Sequence, residues 1–286
     1  MFALKNSCDG AYSSIDVRFT RYCDNKCPMC IERFGIRSLG RTKIDKLLES
    51  IKNANIKDVL ILGGEPLLFV DELLAFVKML RPLVEKIYVT TSLPITFVTQ
   101  YDTILKICKY IDGLNVSLQD ATSCENNKLL NASSDHNRLR IITRLLSDVP
   151  EKIRVHINLI KGHVDSKIKL ESILDWLYHD GCRCVKINEL QHAPDLYISY
   201  EEITGSKLKS PYSHGCQTEE IFPKYEKMKV IIKRSCFKVE KSRKAGFVDL
   251  LKALYICLYP NIIHKNKYVV IYENGEISQN WKRQIL

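Results

Sequence analysis

Between Ile15 and Leu190, short apolar runs alternate with stretches of helical periodicity, and nothing else in the chain restricts its fold as much. The runs cover residues 15–20, 58–62, 86–91, 113–118, 153–159 and 184–190. They are rich in valine and isoleucine and are bounded by polar or turn-forming residues, which is the pattern of buried strands. The segments between them, near 43–52, 70–83, 99–110, 136–147 and 168–179, space apolar residues as amphipathic helices do. Strand followed by helix, repeated, predicts parallel strands joined by right-handed crossovers. Six units fall short of the eight of a closed barrel. The expected fold is therefore α/β, a partial (β/α)6 barrel over residues 1–190 with its site at the carboxyl ends of the strands.

After Leu190 the rhythm stops. Residues 191–286 are expected to form a small α+β extension over the open side of the barrel. It would contain a strand at 228–233, a helix at 247–258, and a strand from 267 that enters the Asn274-Gly275 turn of a hairpin. Nine lysines and arginines lie between Lys224 and Lys244, opposed only by Glu226 and Glu240. A solvated surface is the ordinary meaning of such a tract. On a lid it would instead hold a phosphate-bearing substrate.

Three cysteines, Cys23, Cys27 and Cys30, follow the first strand at C-x3-C-x2-C spacing. A loop of this kind can aim three thiolates at one point. A four-iron cluster held wholly by protein takes four cysteines, so three leave one iron open to a small ligand. A structural zinc site with a distant fourth ligand competes with this reading. The second strand ends in Gly63-Gly64-Glu65-Pro66, and neighbouring parallel strands end on the same rim, so this turn and the cysteine loop should lie side by side. Two glycines would expose backbone to a ligand there, and Glu65 would supply acceptors and negative charge.

Together the two motifs resemble the radical S-adenosylmethionine (SAM) superfamily over roughly residues 15–190. The resemblance implies a 4Fe-4S cluster on Cys23, Cys27 and Cys30, with SAM on the open iron. It implies that Gly63, Gly64, Glu65 and Pro66 hold the SAM amino group, and that Thr91, Ser117 and Asn158 at strand ends contact SAM or substrate. Thr90-Thr91-Ser92 stands where the family often has Thr-Asn-Gly. Met29 replaces the usual aromatic before the third cysteine and still offers apolar shielding. The implied activity is reductive cleavage of SAM to a 5′-deoxyadenosyl radical that abstracts hydrogen, with a flavodoxin- or ferredoxin-like electron donor. A non-catalytic nucleic-acid-binding module, stabilised by a metal or cluster, is the alternative class.

Composition bounds the rest. The formal net charge of +10 admits an anionic substrate, whether nucleotide, RNA, acidic peptide or metabolite. Eleven cysteines, an odd number in a chain with no secretory layout at its N-terminus, suit a reducing compartment. No apolar run approaches the roughly 18 residues of a membrane span, so a cytoplasmic location without membrane contact is expected. Cys182 and Cys184, and the scattered Cys216, Cys236 and Cys257, read as buried thiols, with an auxiliary cluster as the other possibility.

Overall fold

The computed structural model describes residues 14–30, 42–54, 56–190, 193–206, 217–220, 222–235 and 270–278. All six expected strands are present: β1 (Ser14–Thr20), β2 (Asp58–Gly63), β3 (Lys86–Thr91), β4 (Gly113–Leu118), β5 (Ile153–Leu159) and β6 (Cys184–Glu189). The crossovers carry α1 (Ile44–Ala54), α2 (Val70–Leu80), the short α3 (Thr96–Thr99) with α4 (Tyr101–Cys108), α5 (Ser123–Leu130) with α6 (Arg138–Asp148), and α7 (Lys167–His179). Helix starts are set by side-chain caps: Asn137 accepts from the Arg140 amide and Ser166 from the Lys169 amide.

Beyond residue 190 come α8 (Tyr200–Thr204) and four further strands, β7 (Gln217–Glu220), β8 (Lys229–Lys233), β9 (Val270–Ile271) and β10 (Ile277–Ser278). All join the same sheet, in the order β10-β9-β1-β2-β3-β4-β5-β6-β8-β7. From β9 through β8 the pairing is parallel, and only β10 and β7, at the edges, are antiparallel. The Asn274-Gly275 turn closes the β9–β10 hairpin as expected, with the Gly275 amide donating to Tyr272. Part of the basic tract is thus a strand: β8 carries Lys229 and Lys233 within the sheet. Its remaining members from Lys238 on lie outside the described residues, as do the expected helix at 247–258 and Cys216, Cys236 and Cys257.

Period-2 alternation gives the sheet two different faces. Val17, Ile61, Val89, Val116, Val155, Ile187 and Ile232 are fully buried against the helices. Burial of each such side chain contributes about 1.5–3 kcal/mol. The alternate positions (Asp16, Leu60, Tyr88, Asn115, Ser117, His156, Asn158, Lys186, Asn188 and Lys233) form the inner face of the partial barrel and are mostly polar. Asp16 on β1 interacts electrostatically with Lys233 on β8 and Lys186 on β6. These strands lie far apart in sheet order, so the sheet must curl to bring them together.

One segment departs from expectation. The polar loop after β4 contains α5, whose buried face includes Asn126 and Asn127 as well as Leu129 and Leu130. Hydrogen bonds support that burial: the Gln119 amide donates to Asn126, and Asn127 donates to Asp135. A helix buried through amides shows no apolar stripe in its sequence.

Candidate active site at the carboxyl rim of the sheet

The cysteine loop leaves β1 and is laced at once to the end of β2. The Gly64 amide donates to the Thr20 carbonyl at 2.7 Å and the Glu65 amide to the Tyr22 carbonyl at 2.8 Å. A Cβ on Gly64 would lie 2.0 Å from the Tyr22 oxygen, and one on Gly63 2.3 Å from the Thr20 oxygen. Gly63 also has φ +130°, a conformation side chains disfavour. Both glycines are therefore required where two backbones touch.

The Glu65 side chain is engaged within the protein. Its carboxylate is buried and accepts from the Leu67 amide (3.1 Å), Thr91 Oγ1 (2.9 Å), the Ser92 amide (2.7 Å) and Ser92 Oγ (2.7 Å). Burial raises its pKa, and these four donors pull it back. Glu65 thus fastens the end of β3 to the turn after β2. Thr91 is occupied in the same network, since its hydroxyl donates to Glu65 and accepts from the Leu93 amide. Leu93 is buried at φ 60°. The left-handed backbone that a glycine would supply therefore falls one residue past Thr90-Thr91-Ser92.

Asn25, inside the cysteine loop, reaches this network by donating to Ser92 Oγ at 2.8 Å. Arg138 completes it. This fully buried arginine donates from Nε to the Ser92 carbonyl at 3.0 Å and from Nη1 to Asn127 Oδ1. Burial lowers its pKa, an effect offset by Asp24, Glu65 and Cys27 nearby, and its Nη2 has no partner among the described residues. The sequence reading missed Arg138. Its signal was a cation heading the buried stripe Arg138, Ile141, Ile142, Leu145 of α6.

Burial pushes the Cys23 and Cys27 thiols up to about 12, with Cys30 adding to the shift at Cys27 and Cys27 to that at Cys23. Among the described residues no three His, Cys, Asp or Glu side chains are gathered tightly enough to hold a metal ion. The donor set nevertheless fits a cluster. Three thiols share one loop, anchored by the Lys26 amide on Leu130 O at 2.9 Å. Half-buried thiols that do not ionise alone become thiolates on a cationic metal, and metal binding commonly completes a site that is not preformed. Met29 packs with Leu129, Ile160 and Leu190 beside the loop.

Asn158 and Ser117 sit on the inner face, away from the Glu65 network. Asn158 donates to Gln119 Oε1 at 2.8 Å, and Ser117 is paired in register with His156. The structure therefore joins the cysteine loop, Glu65 and Thr91 in one assembly and places Ser117 and Asn158 on the adjoining barrel wall.

The sequence profile of the Radical SAM superfamily matches residues 17–177, more than half of the chain. A GTP 3′,8-cyclase of Lactiplantibacillus plantarum is 26% identical over 202 residues, 68% of this chain and 58% of that protein. SuiB of Streptococcus suis, solved with bound S-adenosylmethionine, superposes with a TM-score of 0.61 at 18% identity, covering 94% of this chain and 60% of SuiB. The enzyme anSMEcpe, with bound AdoMet and the Cp18Cys peptide, covers 93% of this chain and 73% of its own at 12% identity and TM-score 0.50. These structural likenesses concern the fold. The chain spans about three fifths of the length of the cyclase and of SuiB.

Proposed function

The chain belongs to the radical SAM superfamily, whose cofactors are a 4Fe-4S cluster and SAM, and we propose that Cys23, Cys27 and Cys30 hold the cluster in an enzyme that acts on a substrate lodged in the polar barrel interior. The observation that carries this reading is the lacing of the cysteine loop to the Gly63–Pro66 turn, which sets the two motifs against each other at the rim. When bound, the reduced cluster and SAM supply a 5′-deoxyadenosyl radical that takes a hydrogen atom from substrate. The family match speaks against a non-catalytic binding module.

The chain's own residues then have definable tasks. Asn25, Ser92 and Glu65 fix the cysteine loop relative to β2 and β3. Arg138 places a buried cation beside Cys27 and Glu65, where it offsets the negative charge of a thiolate-ligated cluster. Gly63, Gly64, Glu65 and Pro66 present the turn on which the SAM amino group rests. With the Glu65 side chain occupied internally, backbone carbonyls are the acceptors that remain for that amine. Ser117 and Asn158 face inward where substrate or the SAM ribose would lie, and Met29 and its apolar neighbours exclude water from the cysteine loop. Strands β8 and β9, from the region after residue 190, flank this chamber on either side.

An external one-electron donor of the flavodoxin or ferredoxin type would reduce the cluster. No described helix is long and apolar enough to cross a membrane, in keeping with a cytoplasmic enzyme. Anaerobic reconstitution with iron and sulfide tests the reading. A brown protein absorbing near ~400 nm that releases 5′-deoxyadenosine under dithionite is the expected result. A colourless protein with stoichiometric zinc and no cleavage would overturn it.

A further inference from the structure

The inner face of the barrel carries charge that the cluster and SAM do not use, concentrated on one wall. Strand pairing sets His156 opposite Lys186 and Asn158 opposite Asn188. On the next strand, Lys233 lies opposite Asn188. Arg154, two residues before His156 on the same face, stacks 4.7 Å from the Tyr88 ring centroid. Gly113 makes room beneath that stack, since a Cβ there would come within 2.9 Å of Tyr88 and 3.1 Å of Arg154. Across the chamber, Asp16 is the carboxylate that interacts with Lys186 and Lys233. Among the described residues, the cations Arg154, Lys186 and Lys233 of this wall, with Arg18 two residues beyond Asp16 on β1, outnumber that acid. Burial raises the Asp16 pKa to about 6, and with the acid ionised or neutral the wall keeps a net positive charge.

His156 adds no charge. Burial, reinforced by Lys186, Arg154 and Lys233, holds its pKa well below the ordinary histidine value. Its Nε2 atom is buried with no partner among the described residues. A buried polar nitrogen without a partner costs about 1–3 kcal/mol, and a bound ligand would remove that cost.

We propose that the wall formed by His156, Lys186, Asn188 and Lys233 binds a phosphate group of the substrate, which is a nucleotide or another phosphorylated small molecule. This rests on the barrel interior being the substrate chamber of a radical SAM enzyme. The local excess of positive charge matches a phosphoryl dianion. Lys186 and Lys233 supply charge, while the Asn188 amide and neutral His156, in the tautomer protonated at Nε2, supply directional donors. Anchoring the phosphate at this wall would leave the rest of the molecule free to extend toward the rim, where hydrogen is abstracted.

The test is calorimetric titration of the cluster-loaded protein, with SAM present, using inorganic pyrophosphate as the probe. Saturable binding is expected, weakened about tenfold or more in Lys186→Gln and in Lys233→Gln. Asp16→Asn should bind more tightly than wild type, a gain that misfolding cannot produce. Parallel titrations with ATP, GTP, CTP and ribose 5-phosphate distinguish nucleotides from other phosphorylated molecules. Equal affinity across the four proteins would overturn the proposal. So would tighter binding of citrate or an acidic hexapeptide, or RNA binding that pyrophosphate does not displace. Iron content and dithionite-driven release of 5′-deoxyadenosine are measured on the same preparations. If these are intact and pyrophosphate does not bind, the phosphate site alone is wrong. If these fail, the functional reading and this inference fall together.

Discussion

Gly64→Ala puts the assembly of the rim under direct stress. The added methyl would sit 2.0 Å from the Tyr22 oxygen, 2.5 Å from the Tyr22 carbonyl carbon and 2.9 Å from the Arg21 carbonyl carbon. All three are backbone atoms and cannot swing aside. Non-bonded carbons rest about 3.5 Å apart, so the cysteine loop must retreat from the turn by more than ~1 Å. That movement breaks the hydrogen bonds from Gly64 to Thr20 and from Glu65 to Tyr22, worth about 1 kcal/mol each. Overpacking adds about 1–3 kcal/mol, for a total of roughly 3–5 kcal/mol. In a chain of this size the melting temperature should fall by about 5–8 °C. The control is Gly205→Ala, at φ +69° with nothing within 4 Å of the new methyl. Backbone strain alone should cost it about 1–2 kcal/mol. Calorimetric melting and iron content after reconstitution report the two consequences. A Gly64→Ala protein that melts with wild type and loads full iron would refute the claim that this contact positions the cysteines.

Other outcomes are equally definite. Cys27→Ala should lose cluster and SAM cleavage together, measured as iron content and 5′-deoxyadenosine; retention of both would remove Cys27 from the ligand set. Arg138→Met should cost about 3–5 kcal/mol in denaturant unfolding, because Asn127 and the Ser92 carbonyl lose their buried charged donor; an effect under 1 kcal/mol would count against it. The Asp16 carboxyl, with a folded pKa raised to about 6 from 3.8, favours the protonated fold. Stability from this group is therefore present at low pH and is lost as pH rises from about 4 to 6. Asp16→Asn should be more stable than wild type above pH 6 by about 3 kcal/mol, and the gap should close toward pH 4. A gap that does not change with pH would contradict the assignment.

Much of this was legible in the sequence because it is local. Strand–helix alternation gave six strands within a residue or two, and the C-x3-C-x2-C and Gly-Gly-Glu-Pro stretches marked the rim. What escaped depends on contacts between distant segments. Glu65 looked like an acceptor offered to a ligand because nothing local shows Thr91 and Ser92 folding onto it. Arg138 went unremarked because only the packing of α6 turns it inward to Ser92. Helix α5 had no apolar stripe because its burial rests on Asn126 and Asn127. Lys233 belonged by composition to a solvated tract, and only the pairing of β8 with β6 moves it to the inner face.

The central claim is that the missing fourth cysteine leaves an iron site for SAM. Electron–nuclear double resonance on the reduced, reconstituted protein, with SAM labelled with ¹⁵N at its amino group, tests it most directly. A hyperfine coupling between the cluster spin and the labelled nitrogen is predicted, and it should vanish when unlabelled SAM is substituted. A cluster signal that SAM leaves unchanged, with no ¹⁵N coupling, would contradict the account.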